Sequence, residues 1–488
     1  MKRILLFSIL SVVLAGCDMA YGLGDFIYAE SEGNLVEVPE GDNYADYADN
    51  PFVSTEEQPV STFSVDADGA SYANVRRFIK SGQNPPASAV RIEEFLNYFT
   101  FNYADPTDGN TIALNAEVGE CPWTPENRLI RLGIKGKSVK ESDLPPANFV
   151  FLIDVSGSMD SEDKLGLLKD GLITLVDYLR PDDRVSIVTY SGSVKKLLES
   201  TPVKNADKIK KAISKLNASG STAGGEALQM AYKEALENYI KGGNNRVIMG
   251  TDGDFNVGVT DTDALMEMVQ NYAVQGVYLT VCGFGRGNLN DSMMEKISNK
   301  GNGTYEYIAF EEDMVKVFVN ERSEFFSVAN DTKIQVTFDS SKVSSYRLIG
   351  YENRLMSNED FENDDKDAGE IGAGQTITAL YEIVPAAEGS ASEGTLAVFD
   401  VRYKKALGEA AIPLSLDVVP SDALNLSPEL NFAASLAAYG MILRDSPYKG
   451  DADLDLVSSL ATNGLEYDPF GYRADFLEIV QETASIQR

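Results

Sequence analysis

No histidine occurs anywhere in the 488 residues, and that absence removes whole classes of chemistry. Ser-His-Asp and Cys-His catalytic arrangements are excluded within the chain, as is every histidine-ligated zinc site. Cysteine is scarce, with three in all. Cys17 stands near the start, Cys121 stands apart, and Cys282 sits in the strand-like "VYLTVCGFG", where it reads as a small buried hydrophobe. The chain is no disulfide scaffold. Basic residues are few: 42 Lys and Arg face 75 Asp and Glu, for a formal net charge of -33. Such a surface repels nucleic-acid phosphates and anionic headgroups and favours divalent cations and basic partners. At this length one core is not enough, so two to four domains are expected.

The N-terminus reads "MKRILLFSILSVVLAGCDMA". Two basic residues precede an apolar run from Ile4 to Leu14, too short to span as a mature transmembrane helix, and small residues follow. This pattern predicts a secretory signal over residues 1–16. The ending Leu14-Ala15-Gly16-Cys17 resembles the lipobox of bacterial lipoproteins, which implies lipidation at Cys17, where two or more acyl chains, palmitate among them, make a stable anchor. From Asp18 to Val60 there is no lysine or arginine, and residues 17–60 are expected to form an acidic, solvated tether.

Residues 61–146 read as an N-terminal α+β region. "STFSVDADGASYANVRRFIKSG" gives a strand, a turn and a helix capped near Ser71, and "RIEEFLNYF" gives a second helix. "TIALNAEVGECPW" and "NRLIRLGIKGK" alternate like strands with one exposed face. Over residues 147–328 strands and helices alternate, and the strands are short continuous apolar runs, as expected when helices cover both sheet faces. This predicts an α/β, doubly wound, mainly parallel sheet. Its first helix places Leu165, Leu168, Leu172, Leu175 and Leu179 on one face. Residues 329–422 return to period two and predict a β-sandwich-like module, whose sheets the strands at 111–137 would join if the α/β domain is an insertion. Residues 423–488 predict a helical region that opens at Ser427-Pro428.

The stretch "FVFLIDVSGSMD" (149–160) delivers Asp154, Ser156 and Ser158 together at a strand tip. In an open α/β sheet, ligands sit beyond the carboxyl ends of the strands. Two further segments reach that edge: "SGSTAGGEAL", carrying Thr222, and "VIMGTDGDFN", carrying Asp252. A phosphate loop needs a lysine after its glycines in register, and none is there. A nucleophile elbow needs a glycine where Val155 stands, and a histidine. Three hydroxyls and two carboxylates are instead hard oxygen donors suited to Mg²⁺ or Mn²⁺, with Ca²⁺ as a further alternative.

Asp154-x-Ser156-x-Ser158, with Thr222 and Asp252 on later loops, resembles the metal-ion-dependent adhesion site of von Willebrand factor type A domains, over about 180 residues. The resemblance implies that Ser156, Ser158 and Thr222 touch the ion directly and that Asp154 and Asp252 act mainly through water. It also implies that the last position awaits a partner's Asp or Glu. More widely, "STFSVDADGASYANVRRFI", "DAGEIGAGQTITALYEIV" and "LNFAASLAAYGMILRDS" resemble bacterial lipoproteins that carry this domain between a characteristic N-terminal region and a C-terminal region of unknown function.

Other motif-like stretches lack the residues their chemistry needs. "DGDFNVGVTD" and "DADLDL" lack the sixth-position glycine of an EF-hand. Asp66-Ala67-Asp68-Gly69 reads as an acidic turn. Ser161-x-x-Lys164 and Ser193-x-x-Lys196 lack the partners of a serine–lysine enzyme, and "GFGRGN" reads as a loop. The expected function is a non-enzymatic binding module, lipid-anchored in the bacterial cell envelope facing the periplasm or the cell surface. Its partner is a protein offering a Glu or Asp to the metal, with neither nucleic acid nor a small-molecule substrate. The alternatives are a metal-assisted hydrolase and an accessory subunit of a channel or transporter.

Overall fold

The computed structural model describes residues 41–486, apart from 66–67, 108, 221–223, 254–261, 365, 367, 388 and 421–423. The expected signal, Cys17 and Thr222 therefore lie outside the described residues. The first described elements are β1 (Val53–Ser54), β2 (Val60–Ser64), α1 (Ala70–Lys80), α2 (Ile92–Asn97), β3 (Ile112–Glu120) and β4 (Arg128–Gly136). Helix α1 starts behind Gly69 and is not capped by Ser71. The Ser71 N–H donates to Glu94 Oε2 at 2.7 Å, and its hydroxyl donates to the Ala89 carbonyl at 2.7 Å. A carboxylate from α2 thus satisfies the orphan amide that a local cap would have taken.

The alternating region follows as β5 (Ala147–Asp154), α3 (Leu167–Tyr178), β6 (Arg184–Tyr190), β7 (Val194–Pro202), α4 (Ala206–Ser214), α5 (Gly224–Glu237), β8 (Asn244–Thr251), α6 (Thr262–Ala273), β9 (Val277–Phe284), α7 (Asp291–Lys300), β10 (Tyr305–Ile308) and α8 (Glu311–Val315). The sheet runs β10-β9-β8-β5-β6-β7 and is parallel apart from β7, which pairs antiparallel with β6 at the edge. Its central strands carry continuous apolar runs because both faces are covered. Phe149, Phe151 and Ile153 of β5 meet one helical layer, and Val150 and Leu152 meet the other. Edge strand β7 has no such run, since Lys195, Lys196 and Leu197 are all exposed.

The chain then returns to antiparallel structure with β11 (Ser327–Phe338), β12 (Val343–Ile349), β13 (Gly369–Gly372), β14 (Thr376–Pro385), β15 (Ala397–Lys404) and β16 (Ile412–Val418). One sheet is ordered β1-β12-β14-β4-β3. The other is ordered β13-β11-β15-β16, with β2 also on β11. A shared apolar core lies between them, built from such residues as Ile130, Leu132, Ile334, Val336, Tyr381 and Phe399. Strands β1, β2 and β4 thus pair with strands that follow the parallel sheet in sequence, and β3 joins them through β4. Against the expected one-face exposure, β4 is buried along nearly its whole length. Ile130, Leu132 and Ile134 face the sandwich core, and Leu129 faces the helices on the other side.

Three helices end the chain: α9 (Pro428–Leu443), α10 (Leu454–Asn463) and α11 (Tyr472–Ile486). Ser427 caps α9 by accepting the Leu430 N–H at 3.1 Å, with Pro428 in the first turn. These helices close over α1 and α2 through aromatic pairs, among them Phe99–Phe432 at 5.0 Å and Phe95–Tyr439 at 6.1 Å between centroids. Among the described residues no helix is long and apolar enough to cross a membrane.

Two polar devices hold these layers together. Buried Glu382 of β14 accepts from Arg347 Nη2 at 2.9 Å, Asn127 Nδ2 at 2.6 Å and Trp123 Nε1 at 3.2 Å. Removing that carboxylate strands a buried guanidinium. Glu382→Ala should therefore lose about 3–5 kcal/mol in urea unfolding, and the Glu382→Leu/Arg347→Met pair should recover only part of it, because Asn127 and Trp123 still lose their acceptor.

The second device is the charged lining of a cavity of about 150 Å³ between the parallel sheet and the sandwich, formed by Asp68, Arg246, Glu306, Glu324, Arg354 and Glu370 among others, in which Arg354 pairs with Asp68 at 3.5 Å. Burial, with Glu321 adding to it and Lys316 opposing it, pushes the Glu306 carboxyl up to about 8. An unfolded glutamate titrates near 4.3. Between about pH 4.5 and 8 the folded chain keeps a proton that the unfolded chain gives up, so this group's contribution makes stability fall as pH rises through that window. Melting temperature measured from pH 5 to 8.5 should decline less steeply in Glu306→Gln than in the wild type.

Candidate functional site

The parallel sheet reverses its order at β5. One chain path leads from β5 to β6, and the later strands start at β8 on its other side. The crevice beyond the carboxyl ends of β5 and β8 is where such a sheet binds ligands. Asp154 ends β5, and Thr251 and Asp252 end β8 and begin its loop. Asp154 and Asp252 are completely buried, and Ser156 is nearly so.

Hydrogen bonds knit the tips together. Asp154 Oδ1 accepts the Ser156 N–H at 2.8 Å, which turns the chain sharply after the strand. Its Oδ2 accepts the Thr251 hydroxyl at 3.3 Å, and Thr251 Oγ1 in turn accepts the Gly253 N–H at 3.0 Å. The Ser156 and Ser158 hydroxyl oxygens lie 2.9 Å apart. The loop before α5 docks on the same turn, since Ser219 N–H donates to Val155 O at 2.7 Å and Gly157 N–H donates to Gly220 O at 2.9 Å. Of the five candidate site residues, the structure brings Asp154, Ser156, Ser158 and Asp252 into this crevice. Thr222 lies outside the described residues.

The donor set fits a hard cation. Neighbouring ligands of an octahedral Mg²⁺ at 2.0–2.1 Å are separated by about 2.9 Å, the spacing of the two serine oxygens. Among the described residues no three acidic or thiol side chains converge to hold a metal, so an ion here depends on the hydroxyls. Burial, reinforced by Asp252, pushes the Asp154 carboxyl up to about 6, although the Ser156 N–H pulls it down. Burial and the Asp154 carboxylate together raise the neighbouring Tyr190 phenol, which stays neutral.

Three residues outside the five candidates complete the crevice. Lys164 Nζ donates to Asp252 Oδ2 at 3.1 Å, to Ser158 O at 3.0 Å and to Asn288 Oδ1 at 3.0 Å. Asn288 Nδ2 also donates to Asp252 Oδ2, at 2.9 Å. Asn288 belongs to "GFGRGN", whose first two residues end β9 and whose remaining four form the expected loop, and the third residue, Asp42, also bonds to that loop. Asp42 Oδ1 accepts the Gly287 N–H at 2.7 Å and the Leu289 N–H at 3.0 Å, and Asn43 N–H donates to Leu289 O at 2.8 Å. For Lys164 the sequence offers the Ser161-x-x-Lys164 spacing, which points to a different chemistry, and a place at the opening of a leucine-lined helix. Asn288 and Asp42 have no such signal, because their partners lie far away in sequence.

Asp42→Ala should free these two amides. Their exchange with deuterium should speed up by about 10- to 100-fold, the loss of hydrogen bonds to a charged acceptor, while the exchange of β5 and β8 stays unchanged.

The sequence profile of the von Willebrand factor type A domain matches residues 148–320. A profile described as von Willebrand factor matches residues 38–131, and one described as "Uncharacterized protein YfbK, C-terminal" matches residues 323–486. The chain is 37% identical over 479 residues to the Escherichia coli K12 protein YfbK, covering 93% of this chain and 83% of that one. Human inter-alpha-trypsin inhibitor heavy chain H3 is 31% identical over 168 residues, covering 32% of this chain and 18% of that one. The solved von Willebrand factor type A protein from Catenulispora acidiphila is 15% identical, with a TM-score of 0.44, covering 78% of this chain and 92% of that one.

Proposed function

We propose, from the premise that this chain belongs to the YfbK family and carries a von Willebrand factor type A domain, that it is a lipid-anchored envelope protein that binds an acidic side chain of a partner through a divalent cation. The observation that carries the reading is the pair of serine hydroxyls at 2.9 Å on the tip of β5, flanked by two buried carboxylates at the sheet's switch point. Ser156 and Ser158, together with Thr222, would hold Mg²⁺ through neutral oxygens, with Asp154 and Asp252 behind them. Neutral ligands leave the cation's charge largely uncompensated, and when bound it offers a Lewis-acidic position to an incoming carboxylate.

The remaining residues suit binding rather than turnover. Asp154 is committed to Ser156 and Thr251, and Asp252 Oδ2 to Lys164 and Asn288. These bonds engage both Asp154 oxygens and one oxygen of Asp252. The net charge of -33 favours a partner whose coordinating acid is ringed by basic residues. Attachment to the membrane is assigned to acyl chains on Cys17, on the strength of the lipobox-like Leu14-Ala15-Gly16-Cys17.

Calorimetric titration of the purified chain with Mg²⁺ should show one site, abolished in Asp154→Ala without loss of the cooperative melt. Envelope proteins crosslinked to the wild type in Mg²⁺ should be lost with chelator and with Asp154→Ala alike. A partner retained under all three conditions would move binding to the flanking layers and refute the metal-bridged reading.

A further inference from the structure

We propose that Lys164 is a resident counter-charge of this site, a positioning residue that weakens its hold on the free cation and strengthens the capture of a carboxylate by the cation once bound. The inference rests on the metal-site reading above.

Lys164 is only 8% exposed, an unusual place for a lysine unless it is paired. It sits in the wide π-helical turn Glu162–Gly166 that precedes α3, and such turns occur often at functional sites. An ammonium has three protons to donate, and here each has its own acceptor: Asp252 Oδ2, the Ser158 carbonyl and Asn288 Oδ1. Two of those three acceptors belong to candidate metal-site residues. The fixed geometry extends to the side-chain stem. Gly285 adopts φ +74°, and a Cβ there would lie 2.1 Å from Lys164 Cε and 2.7 Å from its Cγ. Tyr307 holds that glycine in place by donating its hydroxyl to the Gly285 carbonyl at 2.7 Å. The loop therefore forms a channel for this one side chain, with the glycine supplying the room.

Charge decides what the lysine does. Asp154 and Asp252 supply two negative charges, which a bound divalent cation would cancel completely. The Lys164 ammonium takes up one of them, so the loaded site keeps a net positive charge that a partner's carboxylate then neutralises. Buried charges a few ångströms apart are poorly screened, and the effect survives physiological salt. The same ammonium opposes entry of the cation. A residue that served only to orient Asp252 would move both affinities in the same direction when lost. A counter-charge moves them in opposite directions.

The test uses the full chain with Mn²⁺ alone as the first probe, counting free ion by electron paramagnetic resonance. Acetate is then added to the loaded form as the second probe and followed by water-proton relaxation. Lys164→Met should bind Mn²⁺ about tenfold more tightly than the wild type and bind acetate several-fold more weakly. Lys164→Gln, which keeps amide donors but no charge, should behave the same way and stands in if the methionine variant melts early. Weaker Mn²⁺ binding in both variants, or no change, overturns the counter-charge. If the wild type itself binds no Mn²⁺, the metal-site reading fails. If binding is lost in Asp154→Ala but indifferent to Lys164, that reading stands and only this inference falls.

Discussion

The pairing of β4 with β14, from Lys135 opposite Thr376 to Arg128 opposite Ile383, is the constraint on which the rest of this molecule depends. It closes one antiparallel sheet across the whole parallel domain, so β5 must leave and β11 must return within reach of the same layers. The second sheet repeats the demand, with β2 lying against β11. Everything between β4 and β11 folds as an excursion whose two ends are pinned. Contacts of such long range are entropically costly to form, so the sandwich is expected to assemble after the locally connected parallel domain.

Buried charge follows from that architecture. Two layers brought together from distant parts of the chain meet through polar surfaces that neither covers alone. Arg91 illustrates this: just ahead of α2, it reaches Glu94 of that helix and, at 2.6 Å, Asp291 at the start of α7. Each such pair is costly to bury and costlier to break, which favours one arrangement of the layers over its near alternatives. The crevice at β5 and β8 uses the same physics for a different end. Its carboxylates are likewise buried, but the hydroxyls beside them carry no charge, and one lysine offsets only part of what is there.

Legibility in the sequence tracked how local each cause was. The continuous apolar strand ending at Asp154 was readable because hydropathy and spacing are properties of neighbours, and so were the Ser427-Pro428 helix start and the leucine face of α3. The role of β4 was not, because Leu129 on its second face packs in one cluster with residues as distant in sequence as Leu430 and Phe432 of α9. Strand β7 was missed because an edge strand needs no apolar run. At the site, the serine and aspartate positions follow a motif. Lys164, Asn288 and Asp42 matter only through partners up to 247 residues distant, and no local pattern announces such a partnership.

The hold of Asp42 and Asn43 on the 287–290 loop has a mechanical side. Along the chain these residues come before any strand of the described fold, so tension applied ahead of Gly41 is borne first by two amide hydrogen bonds to one carboxylate and by the Asn43–Asn290 bridge. The loop they hold carries Asn288, one bond away from Asp252. A pull on this end of the molecule is thus felt at the crevice before it loads a single β-ladder.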